Sequence, residues 1–262
     1  MEKDKEKDKE IVRECPIRVG ISIGDINGIG PEVVIKALSD NRVLLDFTPI
    51  IYASNKILAH HKKILELNDF IYQSCRTAAD ARNRKINVVN ICDDDIQFDL
   101  GKPTEISGKM AFQSLEAATQ DLASGKIDVL VTAPISKDAM NKSGFQFPGH
   151  TEYLASLSSK SEALMLMVSG DLRVALVTTH VPIKDVPSLL TRERIYGKIK
   201  ELEQSLKKDF GIIKPKIAVF GLNPHAGENG KMGTEEMDVI IPAIDQAFNE
   251  GVMAFGPYPA EK

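Results

Sequence analysis

Three of the five histidines, His150, His180 and His225, stand where glycine, proline or a strand end interrupts the chain, in "FPGHTEYLA", "VTTHVPI" and "GLNPHAGENGKMGTEE". An imidazole in such a place can ligate a divalent cation, carry a proton, or satisfy a backbone group. Their spacings of 30 and 45 residues are too long for a local metal motif, so a shared site would have to be assembled by the fold. His60 and His61 lie in a polar stretch of helical period, "SNKILAHHKKILELN", and are expected to face solvent.

Other groups fall in similar places. In "FPGHTEYLA" the chain turns at Pro148 and Gly149 into a helix beginning near Thr151. Thr151 can cap that helix, or its hydroxyl and the free amides of the first turn can hold a phosphate, with His150 adding a donor or a positive charge. In "VTAPISKDAM", Lys137 follows an apolar strand, either as an ordinary surface lysine or as an ammonium reaching a carboxylate or phosphate. "SIGDINGIGPE" places glycines between a strand and a helix, suited to a tight turn or to close approach by an anion or cofactor. It matches neither the G-x-G-x-x-G dinucleotide fingerprint nor a P-loop.

Positioning these groups requires a sheet with loops at one edge. Short β-branched runs at 17–23, 48–54, 86–92, 127–133, 163–169, 173–179 and 216–222 read as largely buried strands. Between them lie segments of helical period, with Pro31 at a first helical position, Ser107 or Thr191 as caps, and Gly125 or Gly211 just past an end. The alternation predicts a three-layer α/β/α fold with a mostly parallel sheet, and "GDL" between the runs at 163–169 and 173–179 predicts one antiparallel hairpin. Loops after the first strand, at Pro134, at His180 and at Asn223–His225 then share the carboxyl edge, where such sheets bind ligands.

Composition sets the outer bounds. The 262 residues, 43% apolar and 27% charged with a net charge of -4, describe an ordinary globular protein and give no reason to expect nucleic acid as a partner. Residues 1–14, opening "MEKDKEKDKE", are expected to be a disordered charged tail, and residues 15–262 a single unit. Three cysteines spaced 60 and 17 residues apart favour a reducing cytoplasm over a disulfide framework. No run approaches the length of a membrane span, so a soluble protein is expected.

Taken in order, "GDINGIGPEVV", "GKPTEISGKMAF", "VTAPISKDAM", "GHTEYLA", "VTTHVPI" and "GLNPHAGENGKMGTEE" resemble the 4-hydroxythreonine-4-phosphate dehydrogenase family of vitamin B6 biosynthesis. The glycine loop also looks like the "GDGIGPE" of isocitrate and isopropylmalate dehydrogenases, which bind NAD outside the Rossmann convention. The resemblance implies a fold of that group, with two subdomains around a cleft. It also implies a homodimer with its active site at the subunit interface. The implied reaction is NAD- or NADP-dependent oxidation of 4-phosphohydroxy-L-threonine followed by decarboxylation, assisted by a divalent zinc, magnesium or cobalt ion. His180 and His225 correspond to metal ligands and His150 and Thr151 to substrate-binding residues. Gly28 and Gly30 fall in the implied cofactor loop, and Lys137 is the candidate proton-handling group. The family usually reads "GDPAGIGPE", so Ile26-Asn27 replace Pro-Ala here. The family also continues past the position of Lys262, through a "YHDQG" stretch that carries a third metal histidine. A dehydrogenase of a phosphorylated sugar acid, such as threonate or erythronate, and a non-catalytic metal- or phosphate-binding homologue are the alternatives.

Overall fold

The first strand, β1 (Ile17–Ser22), is the hub of a five-stranded sheet in the computed structural model, which describes residues 16–92, 96–158 and 163–260. The expected tail of residues 1–14 lies outside the described residues. The chain divides into two compact units, Met1–Ser159 and Lys160–Lys262.

In the first unit β1 is followed by α1 (Gly30–Leu38), α2 (Val43–Asp46), β2 (Phe47–Ala53), α3 (Asn55–Ile64), β3 (Gln73–Cys75) and β4 (Asn87–Asn90). Then come α4 (Glu105–Ala123), β5 (Val129–Thr132), α5 (Lys137–Lys142) and α6 (His150–Leu157). The sheet order is β3-β4-β2-β1-β5 and every pairing is parallel. The central strands are buried on both faces, as their β-branched runs predict, with Ile21, Ile50, Ile51 and Val88 inside. Edge strand β5 is different: Val129 and Val131 are exposed.

Helix starts follow side-chain chemistry. Ser54 Oγ accepts from the Lys56 amide at 3.2 Å, opening α3. Pro31 sits in the first turn of α1, as expected. Ser107 is not the cap of α4: Thr104 is, and Ser107 answers it from three residues on in a reciprocal capping box.

The second unit contains β6 (Leu166–Ser169), β7 (Leu172–Ala175), α7 (Val186–Leu189), α8 (Arg192–Lys208), β8 (Ile217–Phe220), α9 (Ile241–Asn249) and β9 (Ala254–Tyr258). β6 and β7 form the expected antiparallel hairpin, turning at Gly170-Asp171, and β8 pairs with β9 in parallel. Thr191 caps α8, its side chain accepting from the Arg194 amide at 3.1 Å. Ile195, Ile199, Leu202 and Leu206 on α8 and Ala243, Ile244 and Ala247 on α9 form the core, against which Ala175, Val177, Val219 and Leu222 pack. The parallel α/β character is as predicted, but among the described residues the strands form one parallel sheet and two pairs. The loops expected at one common edge therefore divide between the units: those of Asp25 and Pro134 belong to the first, those of His180 and His225 to the second.

The replacement of Pro-Ala by Ile26-Asn27 has a structural consequence. Ile26 is fully buried, and Asn27, 3% exposed, ties the β1–α1 loop to the segment before α4. Its Nδ2 donates to Lys102 O at 3.0 Å and Thr104 Oγ1 at 3.2 Å, while its Oδ1 accepts from the Asp99 amide at 3.1 Å. Asn27→Ala removes all three and takes the side-chain acceptor from the Asp99 amide. At about 1 kcal/mol for each bond, it is expected to cost about 3 kcal/mol in urea unfolding.

Candidate active site

In the first unit the glycine loop and the start of α5 meet at the carboxyl ends of β1 and β5. The Asp25 amide donates to Pro134 O at 2.9 Å. Gly24, at φ +71, lies where an added Cβ would stand 2.3 Å from that same carbonyl oxygen. Gly30 is equally constrained, since a Cβ there would meet Ile23 O at 2.5 Å. Gly30 thus lets the first turn of α1 close on the strand end. Gly28 has a looser setting, its nearest neighbour being the Asp25 carboxylate. Lys137 is exposed at the first position of α5, whose cap is Ser136.

His61 supports this loop from below. It is 4% exposed, contrary to the solvent position expected of it, and its Nε2 lies 2.8 Å from Ile26 O. A carbonyl can only accept, so Nε2 carries the proton. His60 is half-buried and stacks on Phe98 with ring centroids 3.9 Å apart. The flanking lysines Lys62 and Lys63 hid this inward face. Burial lowers the His61 pKa from 6.5, opposed by the bond to Ile26 and the nearby Glu32 and reinforced by His60. The folded state therefore binds fewer protons than the unfolded chain. The contribution is complete above pH 6.5 and lost as pH falls through the folded-state value. Melting temperature is expected to decline below pH 6.5, and less so in His61→Gln, which keeps a donor but does not titrate. His150 adds a slope of the same sign, because burial lowers its pKa too.

His150 and Thr151 open α6. The helix is anchored by Tyr153, which packs with Phe112, Phe145 and Phe147. Its cap is Gly149, with no side-chain bond, so Thr151 lies inside the first turn rather than capping it. The first-turn amides are left open for an acceptor. Glu152 in the same turn supplies the negative charge that a helix start favours. The Nε2 of His150 is shielded from solvent and has no hydrogen-bond partner among the described residues.

His180 and His225 lie in the second unit, both exposed, on chain leaving strands β7 and β8. These strands line one apolar cavity of about 480 Å³ through Val174 to Val177 and Ile217 to Phe220. Both histidines have left-handed backbones, φ 54 at His180 and φ 55 at His225. His225 begins six consecutive residues of positive φ, His225 to Gly230, of which only Gly227 and Gly230 are glycines. For an L-residue this conformation costs about 1–2 kcal/mol. Such strain collects at functional sites.

The anchor of this turn is Glu236, a residue that the motifs do not single out; its carboxylate accepts from the backbone and side-chain amides of Asn223. A signal was available: Glu236, Ile240, Ala243 and Ala247 form one buried helical stripe, so a carboxylate occupies a core position. Two imidazoles suit a divalent cation but supply only part of a coordination shell. Among the described residues no three of His, Cys, Asp and Glu are grouped to hold a metal ion.

Comparison with known proteins decides the family. The model of the pyridoxal phosphate biosynthetic protein PdxA matches residues 46–262. The chain belongs to the PdxA family. A 4-hydroxythreonine-4-phosphate dehydrogenase of Bacteroides thetaiotaomicron is 43% identical over 251 residues, which are 95% of this chain and 69% of that relative. A relative from Oceanobacillus iheyensis, named "Putative D-threonate 4-phosphate dehydrogenase", is 38% identical over 93% of this chain and 74% of its own. The crystal structure of a 4-hydroxythreonine-4-phosphate dehydrogenase from Burkholderia phymatum superposes with a TM-score of 0.82 at 35% identity, covering 95% of this chain and 76% of that one. The PdxA relatives thus extend beyond the region they share with this chain. No helix among the described residues is long and apolar enough to cross a membrane.

Proposed function

We propose that the protein oxidises the secondary hydroxyl of 4-phosphohydroxy-L-threonine with NAD or NADP, the product then losing CO2 to give 3-amino-2-oxopropyl phosphate for pyridoxine 5'-phosphate synthesis. Family membership supports the substrate class. The observation that carries the reading to particular residues is the strained, left-handed backbone of His180 and His225, on chain leaving two strands that pack against one core.

Each residue then has a task. His180 and His225 would hold a zinc, magnesium or cobalt ion, which supplies Lewis acidity at the hydroxyl and at the oxygen charged during decarboxylation. Water, substrate or further polypeptide completes its shell. The open first turn of α6 receives the phosphate, Thr151 adding its hydroxyl and His150 the shielded Nε2. With its pKa lowered, His150 is neutral at pH 7 and binds by hydrogen bonding rather than by charge. Lys137, exposed at the first position of α5, would handle the hydroxyl proton. Gly28 and Gly30 belong to the β1–α1 turn that would meet the dinucleotide, Gly30 by letting α1 close on the strand end. The assembly is a homodimer with its site at the subunit interface.

A second reading, oxidation of threonate or erythronate 4-phosphate, is favoured by the Oceanobacillus relative's name. These substrates differ in having a hydroxyl where the amino acid has an ammonium. Steady-state assays with both phosphates separate the readings. The amino compound is expected to have the higher kcat/KM, and equal or reversed preference would reject the B6 assignment.

A further inference from the structure

Glu236 is 2% exposed, yet it is the ionised kind of group that a protein buries only when hydrogen bonds replace its water. Its Oε1 accepts from the Asn223 amide at 2.7 Å and its Oε2 from Asn223 Nδ2 at 2.9 Å. Burial would raise its pKa, but the bonds from Asn223, helped by the nearby backbone amides of Glu236 and Leu222, outweigh it and hold the carboxyl below the usual carboxylate range. Asn223 Nδ2 further reaches Glu235 Oε2 at 2.7 Å, and Asn223 O accepts from the Ala226 amide at 3.1 Å.

The same carboxylate touches the left-handed turn from its inner side. A Cβ on Gly227 would lie 2.6 Å from Glu236 Oε2, and one on Gly221 3.0 Å from Oε1. One charged group therefore fastens the exit of β8 and seats the middle of the turn that begins at His225. Nothing in the residue types of Ala226 or Glu228 favours positive φ, so the conformation has to be imposed from outside the turn.

We propose that Glu236 is a positioning residue: by clamping Asn223 and seating Gly227 it imposes the left-handed turn and so sets the direction of the His225 imidazole. The proposal rests on the reading of His225 as a cation ligand only for its functional consequence. The imposed backbone conformation is independent of that reading.

The test uses the whole chain, with Glu236→Ala, Glu236→Gln and the exchanged pair Glu236→Gln with Asn223→Asp, made together with Glu235→Gln so that no second carboxylate faces position 223. One-bond Cα–Hα couplings of residues 225–229 by NMR report positive φ without any metal. They are expected to shift to ordinary values in Glu236→Ala and to return in the exchanged pair, where the donor and acceptor have changed places. Zn2+ affinity by titration is expected to fall about 10–100-fold in Glu236→Ala. In a His225→Ala background the same substitution is expected to change it less than about twofold, because the effect passes through that imidazole. Should Glu236→Ala not fold, Glu236→Gln and its exchanged partner carry both measurements. Couplings unchanged from the parent, or an equal affinity loss without His225, would overturn the clamp. A parent chain that binds no Zn2+ would instead reject the two-histidine cation site, and the couplings would still decide the clamp.

Discussion

Adding a single methyl group at Gly108 is expected to destabilise the protein by about 3 kcal/mol or more. Helix propensity alone predicts the opposite, since Gly108 is inside α4 and alanine is favoured over glycine there by about 1 kcal/mol. Packing decides. A Cβ at Gly108 would stand 1.9 Å from Ala139 O and 2.4 Å from its carbonyl carbon. These are backbone atoms of α5, so no rotamer change can clear them, and α5 would have to move. That helix buries Met140 with Ala111 and Leu115, and moving it opens this cluster. Gly197, also mid-helix, makes the control: nothing lies within 4 Å of a Cβ built there. Gly197→Ala is expected to stabilise by about 1 kcal/mol. Urea unfolding of the two variants checks both signs, and a stable Gly108→Ala would mean that α4 and α5 are not in backbone contact.

The pair also shows which parts of the fold can be read from residues alone. Strands β1, β2 and β4 announce themselves through β-branched runs, and α4 and α8 through their period and capping residues. β3 is three residues of Gln, Ser and Cys, and β9 contains Gly256 and Pro257, so neither carries the pattern of a strand. Their partners impose the extended conformation. Two mid-helix glycines look alike in sequence because the distinction lies in what the facing helix presents. At the site, the chemical types of His150, Thr151, His180 and His225 were legible, as were the turns that expose them. The role of Asn27 was not, because its bonds reach across 72 to 77 residues. The inward turn of His61 was hidden by its lysine neighbours. Six successive residues of positive φ could not be foreseen either, since their conformation is enforced by a carboxylate from a later helix.

His225→Ala is expected to reduce kcat/KM for the preferred phosphate about a thousandfold. Lewis-acid stabilisation of charge at an oxygen is worth several kcal/mol, and about 4 kcal/mol corresponds to that factor. The loss should appear mainly in kcat, because the ligand acts on charge that develops during reaction, while phosphate binding at α6 uses other residues. His180→Ala is expected to do the same, and the double variant to be little worse than either, as for groups that serve one function. Folding should not account for the loss. Both side chains are exposed, and alanine merely retains the left-handed strain each histidine already bears. Ala226→Gly makes the matching test of strain, because glycine adopts φ 50 freely. It is expected to raise stability by up to about 1 kcal/mol. Steady-state kinetics with added zinc, beside thermal melts of each variant, separate the two effects. A His225→Ala protein within about fivefold of the parent would remove this residue from the reaction.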